Sequence, residues 1–200
     1  MKKMMMIAAM MVATIAAKAQ FEPGTFSLQP KVGFNLSEIS AKDSKFKAGL
    51  VAGLEGQYQI NNRFALSAGL LYTQEGTKIK DSELKFNLEY LNIPVMAKFY
   101  VAKGLSLNAG LQLGFMTKGK LKGNGYNDDI KSICNKADFS IPLSIAYEFT
   151  NGLSFEARYT GGLTNVIKEE TIKAAGMSYK WEKDNKNEVF MLTVGYKFEL

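Results

Sequence analysis

The chain has no histidine and a single cysteine, Cys134, in 200 residues. Without imidazole there is no His-ligated zinc, no His-containing catalytic triad and no imidazole general base. One thiol makes neither an internal disulfide nor a Cys-x-x-Cys metal knuckle, so stability has to come from the fold itself. Proline is scarce, 4 residues against 18 glycines, and 46% of the chain is hydrophobic, which excludes a disordered tail and suits one domain. Long apolar runs are missing too. Met4 to Ala17 falls short of the roughly 20 residues that span a bilayer as a helix. That run follows Lys2 and Lys3 and ends in Ala17-Lys18-Ala19, the pattern of a secretory signal peptide cut before Gln20. Residues 1–19 are therefore expected to be the signal peptide and residues 20–200 the working domain, with no cysteine at the cut to carry a lipid. Removing Lys2, Lys3 and Lys18 leaves 22 basic groups against 19 acidic ones, a net charge of +3 in place of +6. The basicity is partly an export signal and makes no case for nucleic acid.

What the domain does have is alternation. Apolar residues recur at every second position in eight runs, each bounded by Gly, Asn, Asp or Lys clusters: Leu28 to Leu36, Ala48 to Ile60, Phe64 to Tyr72, Leu91 to Phe99, Leu105 to Phe115, Phe139 to Phe149, Leu153 to Leu163 and Phe190 to Phe198. Period two predicts an all-β chain, and most runs have the length of a tilted transmembrane strand. One phase holds 45 positions with no charge and no Asn, Gln, Ser or Thr. In the opposite phase seven of 37 positions are charged: Lys31, Glu55, Lys98, Glu148, Glu156, Arg158 and Lys197. That share is low for a water-facing surface, which runs roughly 25 to 35% charged. Side-chain volume sets the direction. Eight strands enclose a space just wide enough for side chains to fill, and 45 residues dominated by Leu, Ile, Phe and Tyr would overfill it. They belong outside, against lipid, and the small and charged phase belongs in the lumen.

The connections agree. Asn61-Asn62, Ala102 to Gly104 and Asn151-Gly152 are short, while Ser37 to Lys47, Thr73 to Tyr90, Met116 to Asp138 and Thr164 to Val189 are long and polar, the short-turn, long-loop asymmetry of membrane barrels. Aromatics of the outward phase gather at both ends of the runs: Tyr58, Phe64, Phe99, Phe149 and Phe198 toward the turns, Phe34, Tyr72, Phe115, Phe139 and Phe190 toward the loops. Two girdles at the membrane interfaces follow. The predicted fold is an eight-stranded antiparallel up-and-down transmembrane β-barrel.

Within it the seven lumen charges are expected to pair, since an unpaired charge in a narrow dry lumen costs several kcal/mol. Pro94 and Pro142 fall inside strands and are expected to mark bulges, because each removes a ladder donor. Lys118, Lys120 and Lys122 lie on the third long connection, a solvated loop within reach of lipid phosphates. The Asn/Asp group beside them lacks calcium-loop spacing. Met177, Tyr179 and Trp181 on the fourth are an apolar trio suited to surface contact or interfacial anchoring. Cys134, on the third connection, is expected to lie outside the hydrocarbon, open to a membrane-impermeant reagent.

Tyr90-Leu91-Asn92-Ile93-Pro94, the GLQLGF segment from Gly110, Arg158-Tyr159 through Leu163-Thr164-Asn165, and the closing Val194-Gly195-Tyr196-Lys197-Phe198 together resemble the Bacteroidetes-type outer-membrane β-barrel family, often labelled porin family. The resemblance covers the mature chain. It implies location in a Gram-negative outer membrane, contact with outer-membrane lipid and insertion by the barrel-assembly machinery, and it implies little about activity. No catalytic, metal or cofactor site is expected. The functional expectation is a non-enzymatic envelope protein, structural or acting by surface interaction with an envelope protein or ligand through the long loops, or a very narrow solute path. An accessory barrel of an envelope secretion or transport complex and a soluble periplasmic lipocalin-like carrier are the alternatives.

Overall fold

Alternating side chains put one face of each strand in lipid and the other in the lumen, and a sheet so built has no stable edge in a membrane until it closes on itself. The computed structural model describes residues 22–40, 44–80, 84–123, 126–168 and 185–200; the expected signal peptide falls outside them. The strands are β1 (Phe26–Ile39), β2 (Ser44–Lys45), β3 (Lys47–Gln59), β4 (Phe64–Ile79), β5 (Lys85–Ala102), β6 (Leu105–Gly123), β7 (Tyr126–Asp129), β8 (Ala137–Glu148), β9 (Leu153–Asn165), β10 (Lys186–Tyr196) and β11 (Phe198–Glu199). Eight of them form the barrel in the order β1-β3-β4-β5-β6-β8-β9-β10, each antiparallel to the next, and β10 pairs back onto β1 from Lys31↔Gly195 to Ile39↔Asn187. Short β2, β7 and β11 add to β4, β6 and β1.

The outward phase is exposed as a lipid face must be, with Val32, Leu50, Leu111, Phe139 and Leu143 all more than half accessible. Girdle aromatics touch one another, Phe64 with Phe99 at 5.0 Å and Tyr147 with Phe149 at 4.7 Å between ring centroids. The membrane-spanning parts of the strands are therefore the eight apolar runs between the girdles. At the short-turn end Asn61 Oδ1 accepts from the N–H groups of Arg63 and Phe64 at 2.8 and 2.9 Å, the local bond that suits Asn to a turn. Gly104 turns the β5–β6 hairpin at φ +78°.

Two expectations are corrected. The first concerns the prolines: no register shift occurs at Pro94 or Pro142. The β4–β5 ladder skips Pro94 and resumes in the same register, and the β6–β8 ladder does the same at Pro142. The missing N–H opens one gap toward one neighbour. The bulges sit instead at Glu89/Tyr90, Tyr100/Ala102 and Lys186/Glu188. The second concerns the long connections after the third and fifth runs. Both are largely strand, because β4 continues to Ile79, β5 begins at Lys85 and β6 continues to Gly123. Above the loop-side girdle the pattern inverts, with polar residues outward and Phe86, Leu88 and Tyr90 buried inside. A wall of paired strands thus rises beyond the membrane. Its inner side closes over an apolar cap of Ile39, Phe86, Leu88, Tyr90, Met116, Ile130, Cys134, Val166 and Ile167.

Candidate functional site

The charged and polar groups of the spanning strands point into the lumen, which is layered. In its middle, Glu55 of β3 is met by Lys31 Nζ of β1 at 3.0 Å, Lys98 Nζ of β5 at 2.9 Å and Arg158 Nη2 of β9 at 3.3 Å. Glu156, two residues from Arg158 on the same strand, takes Arg158 Nη2 at 2.9 Å and Lys31 Nζ at 2.8 Å. Lys98 reaches on to Glu148 of β8 at 3.6 Å, and Lys197, between β10 and β11, lies 3.2 Å from the same carboxylate. Tyr100 also donates to Glu148, at 3.2 Å, and Lys98 donates to Gln57 at 2.8 Å. All seven charges named from the sequence are brought into one connected network, three carboxylates facing four cations, and all but Lys197 are buried. Such pairing keeps the desolvated charges compensated; loss of one partner strands the other.

Above the network Val51, Leu71, Val189 and Met191 form a small apolar layer. Beyond it comes a polar layer the sequence reading did not single out. Asn92 donates to Thr73 Oγ1 at 2.9 Å and to Glu75 Oε1 at 3.1 Å; Thr73 itself donates to Glu75 at 2.6 Å. Asn187 donates to Tyr90 Oη at 3.2 Å and to Asp138 Oδ2 at 3.3 Å. Glu75 and Asp138 are buried and make no ion pair among the described residues. Glu75 lies three residues past the girdle residue Tyr72 and so outside the spanning segment; burial, reinforced by the Asp138 carboxylate, pushes it up to about 7. These residues were hidden because the apolar partner phase that marks a strand from sequence ends with the membrane. The signal that remains is Phe86-x-Leu88-x-Tyr90, a period-two stripe of inverted facing.

Cys134 is the third correction. The connection carrying it folds inward, pairs Cys134 with Ile167 across an isolated bridge, and leaves the thiol fully buried in the cap. Burial raises its pKa to about 11. Lys118 stands on β6, where it meets Glu89 at 3.0 Å. Met177, Tyr179 and Trp181 lie outside the described residues. Among the described residues no group of His, Cys, Asp or Glu side chains has the arrangement of a metal site.

An apolar outside, aromatic girdles, a closed ladder and a charged interior define a transmembrane β-barrel, and they exclude the lipocalin-like carrier, whose apolar face would line the inside. The chain belongs to the outer membrane protein beta-barrel domain family, whose model matches residues 18–168. The protein is accordingly an integral protein of the outer membrane. Its fold is similar to that of Ail, the attachment invasion locus protein of Yersinia pestis, at 17% identity over 88% of this chain and 100% of that one with a TM-score of 0.51. It is also similar to that of Neisserial surface protein A, at 13% identity over 88% and 97% with a TM-score of 0.53. At such identities the likeness shows the fold alone. No curated protein matches the sequence. Membership of the Bacteroidetes branch is a matter of the sequence resemblance only.

Proposed function

We propose that the protein is a closed, non-catalytic barrel that serves the envelope as a structural element and through contacts of its external face. The observation that supports this best is the mid-lumen network: Lys31, Lys98, Arg158 and Lys197 reach across the barrel to Glu55, Glu148 and Glu156 and fill the space an aqueous path would need. The apolar cap adds a second closure on the side of the long loops. The lumen carboxylates act as fixed counter-charges to the four cations. Residues 1–19 act as the export signal and the barrel-assembly machinery inserts the mature chain, so that the wall and cap face outward.

Reconstitution into planar bilayers tests the proposal. The purified protein is expected to give no large stable conductance. Arg158→Ala, which leaves Glu55 and Glu156 short of a cation, is expected to lower unfolding stability by about 3 to 5 kcal/mol. A stable channel in the unmodified protein that passes solutes of several hundred daltons would overturn the closed reading.

A further inference from the structure

The wall above the membrane carries a row of like charges. Lys45 of β2 pairs with Lys78 of β4, Lys78 with Lys85 of β5, and Lys85 with Lys122 of β6. Four lysines thus stand side by side on four neighbouring strands, all exposed. They share the outward face, because the opposite phase of β4, β5 and β6 here, Ile79, Phe86 and Leu121, packs on the interior cap. Neighbouring strands are about 4.8 Å apart, so the row is roughly 14 Å long. Like charges directly opposite one another destabilise a sheet, and here three such pairs run in succession.

Carboxylates of these strands and of β7 make no ion pair with the row among the described residues. Glu75 is buried inside, Glu89 is 3.0 Å from Lys118, and Asp129 faces Lys120 across the β6–β7 ladder. Among the described residues none of the four lysines makes an ion pair; Asp81 and Glu83 fall in the segment 81–83, outside them. The row faces sideways, on the same outward side as Tyr72, Leu91 and Phe115 below it. Lys78 lies six residues beyond Tyr72, which at the usual rise and tilt is roughly 15 Å above the girdle. The headgroup zone of an ordinary bilayer extends only about 5 to 8 Å beyond the hydrocarbon. The row therefore stands above the phospholipid headgroups, at a height that only a lipid with an extended headgroup reaches.

We infer that the row Lys45, Lys78, Lys85 and Lys122 binds the acidic saccharide headgroup of a glycolipid standing beside the barrel in the outer leaflet. Four ammonium groups at strand spacing meet phosphates or carboxylates on successive sugars, and the anions relieve the mutual repulsion of the lysines. The inference rests on the reading of this face as external.

The test is native mass spectrometry of the full-length mature protein titrated with lipopolysaccharide that carries phosphorylated lipid A and an acidic inner core. The unmodified protein is expected to retain it. K45Q/K78Q/K85Q/K122Q is expected to bind at least about tenfold more weakly, at a surface contribution that is appreciable per lysine, while K103Q/K136Q, exposed lysines off the row, binds as the unmodified protein does. Should the quadruple variant not fold, K78Q/K85Q is measured and an intermediate loss is expected. Undiminished binding by the folded variant would overturn the inference. So would retention of soluble heparin, sensitive to the row, without retention of the glycolipid, since the occupant would then be a free polyanion. K85C/C134S, treated on intact cells with a membrane-impermeant maleimide, separates the two layers of the argument. No labelling means the external reading has failed, and labelling with undiminished glycolipid binding means that only the inference has.

Discussion

Glu75 shows how one residue carries a pH dependence into the barrel. Its carboxyl is buried beneath the cap with two hydrogen-bond donors and no ion-pair partner among the described residues, and burial lifts its pKa from 4.5 to about 7. A carboxyl whose folded pKa is raised takes up a proton on folding. Its contribution is most favourable below about pH 4.5, is lost as pH rises toward 7 and is constant above, a change on the order of 3 kcal/mol. Urea unfolding between pH 5 and 7 is expected to show stability falling with pH, and Glu75→Gln is expected to flatten that slope. Cys134 gives a second test at this scale. The intact, folded protein is expected to resist a membrane-impermeant maleimide at mildly alkaline pH, because the thiol is covered and its pKa stands near 11; full labelling should follow denaturation. Rapid labelling of the folded barrel would place the loop elsewhere.

Among the elements, the β4–β5 hairpin differs from the spanning strands in what holds it. Below the girdle the strands are held by ladder bonds, by lipid and by the lumen charge network. Above it, β4 and β5 persist because Phe86 and Leu88 bury inward, and because Gly76 takes φ +130° with the carbonyl oxygen of Phe86 only 2.0 Å from where a Cβ would stand. Gly76→Ala is expected to cost about 1 to 2 kcal/mol locally and to read out as faster proteolysis of the wall, with the membrane-embedded strands protected. The alternating runs named the eight spanning segments from the sequence to within a few residues. Their extensions were not legible, since a strand with water on one side and an apolar cap on the other no longer matches the facing of the segment it continues.

The barrel as a whole is held by a ladder with no free edge, closed along β1 and β10 over nine residue pairs. Closed barrels in detergent keep their ladder until heated, so the protein is expected to migrate differently in gels before and after boiling, and extraction from membranes by salt alone would count decisively against it. The sequence by itself determined the strand class, the number of spanning strands, which phase meets lipid, and the seven lumen charges, because period two marks the strands and eight of them enclose too little space for the bulky phase to lie inside. Only the tertiary structure decided who pairs with whom in the lumen, that Glu75 and Asp138 form a second buried layer, that Cys134 is covered, and that four lysines far apart in the chain stand in one row. Each of these depends on register between strands, and register is a property of the closed sheet that no single strand's alternation contains.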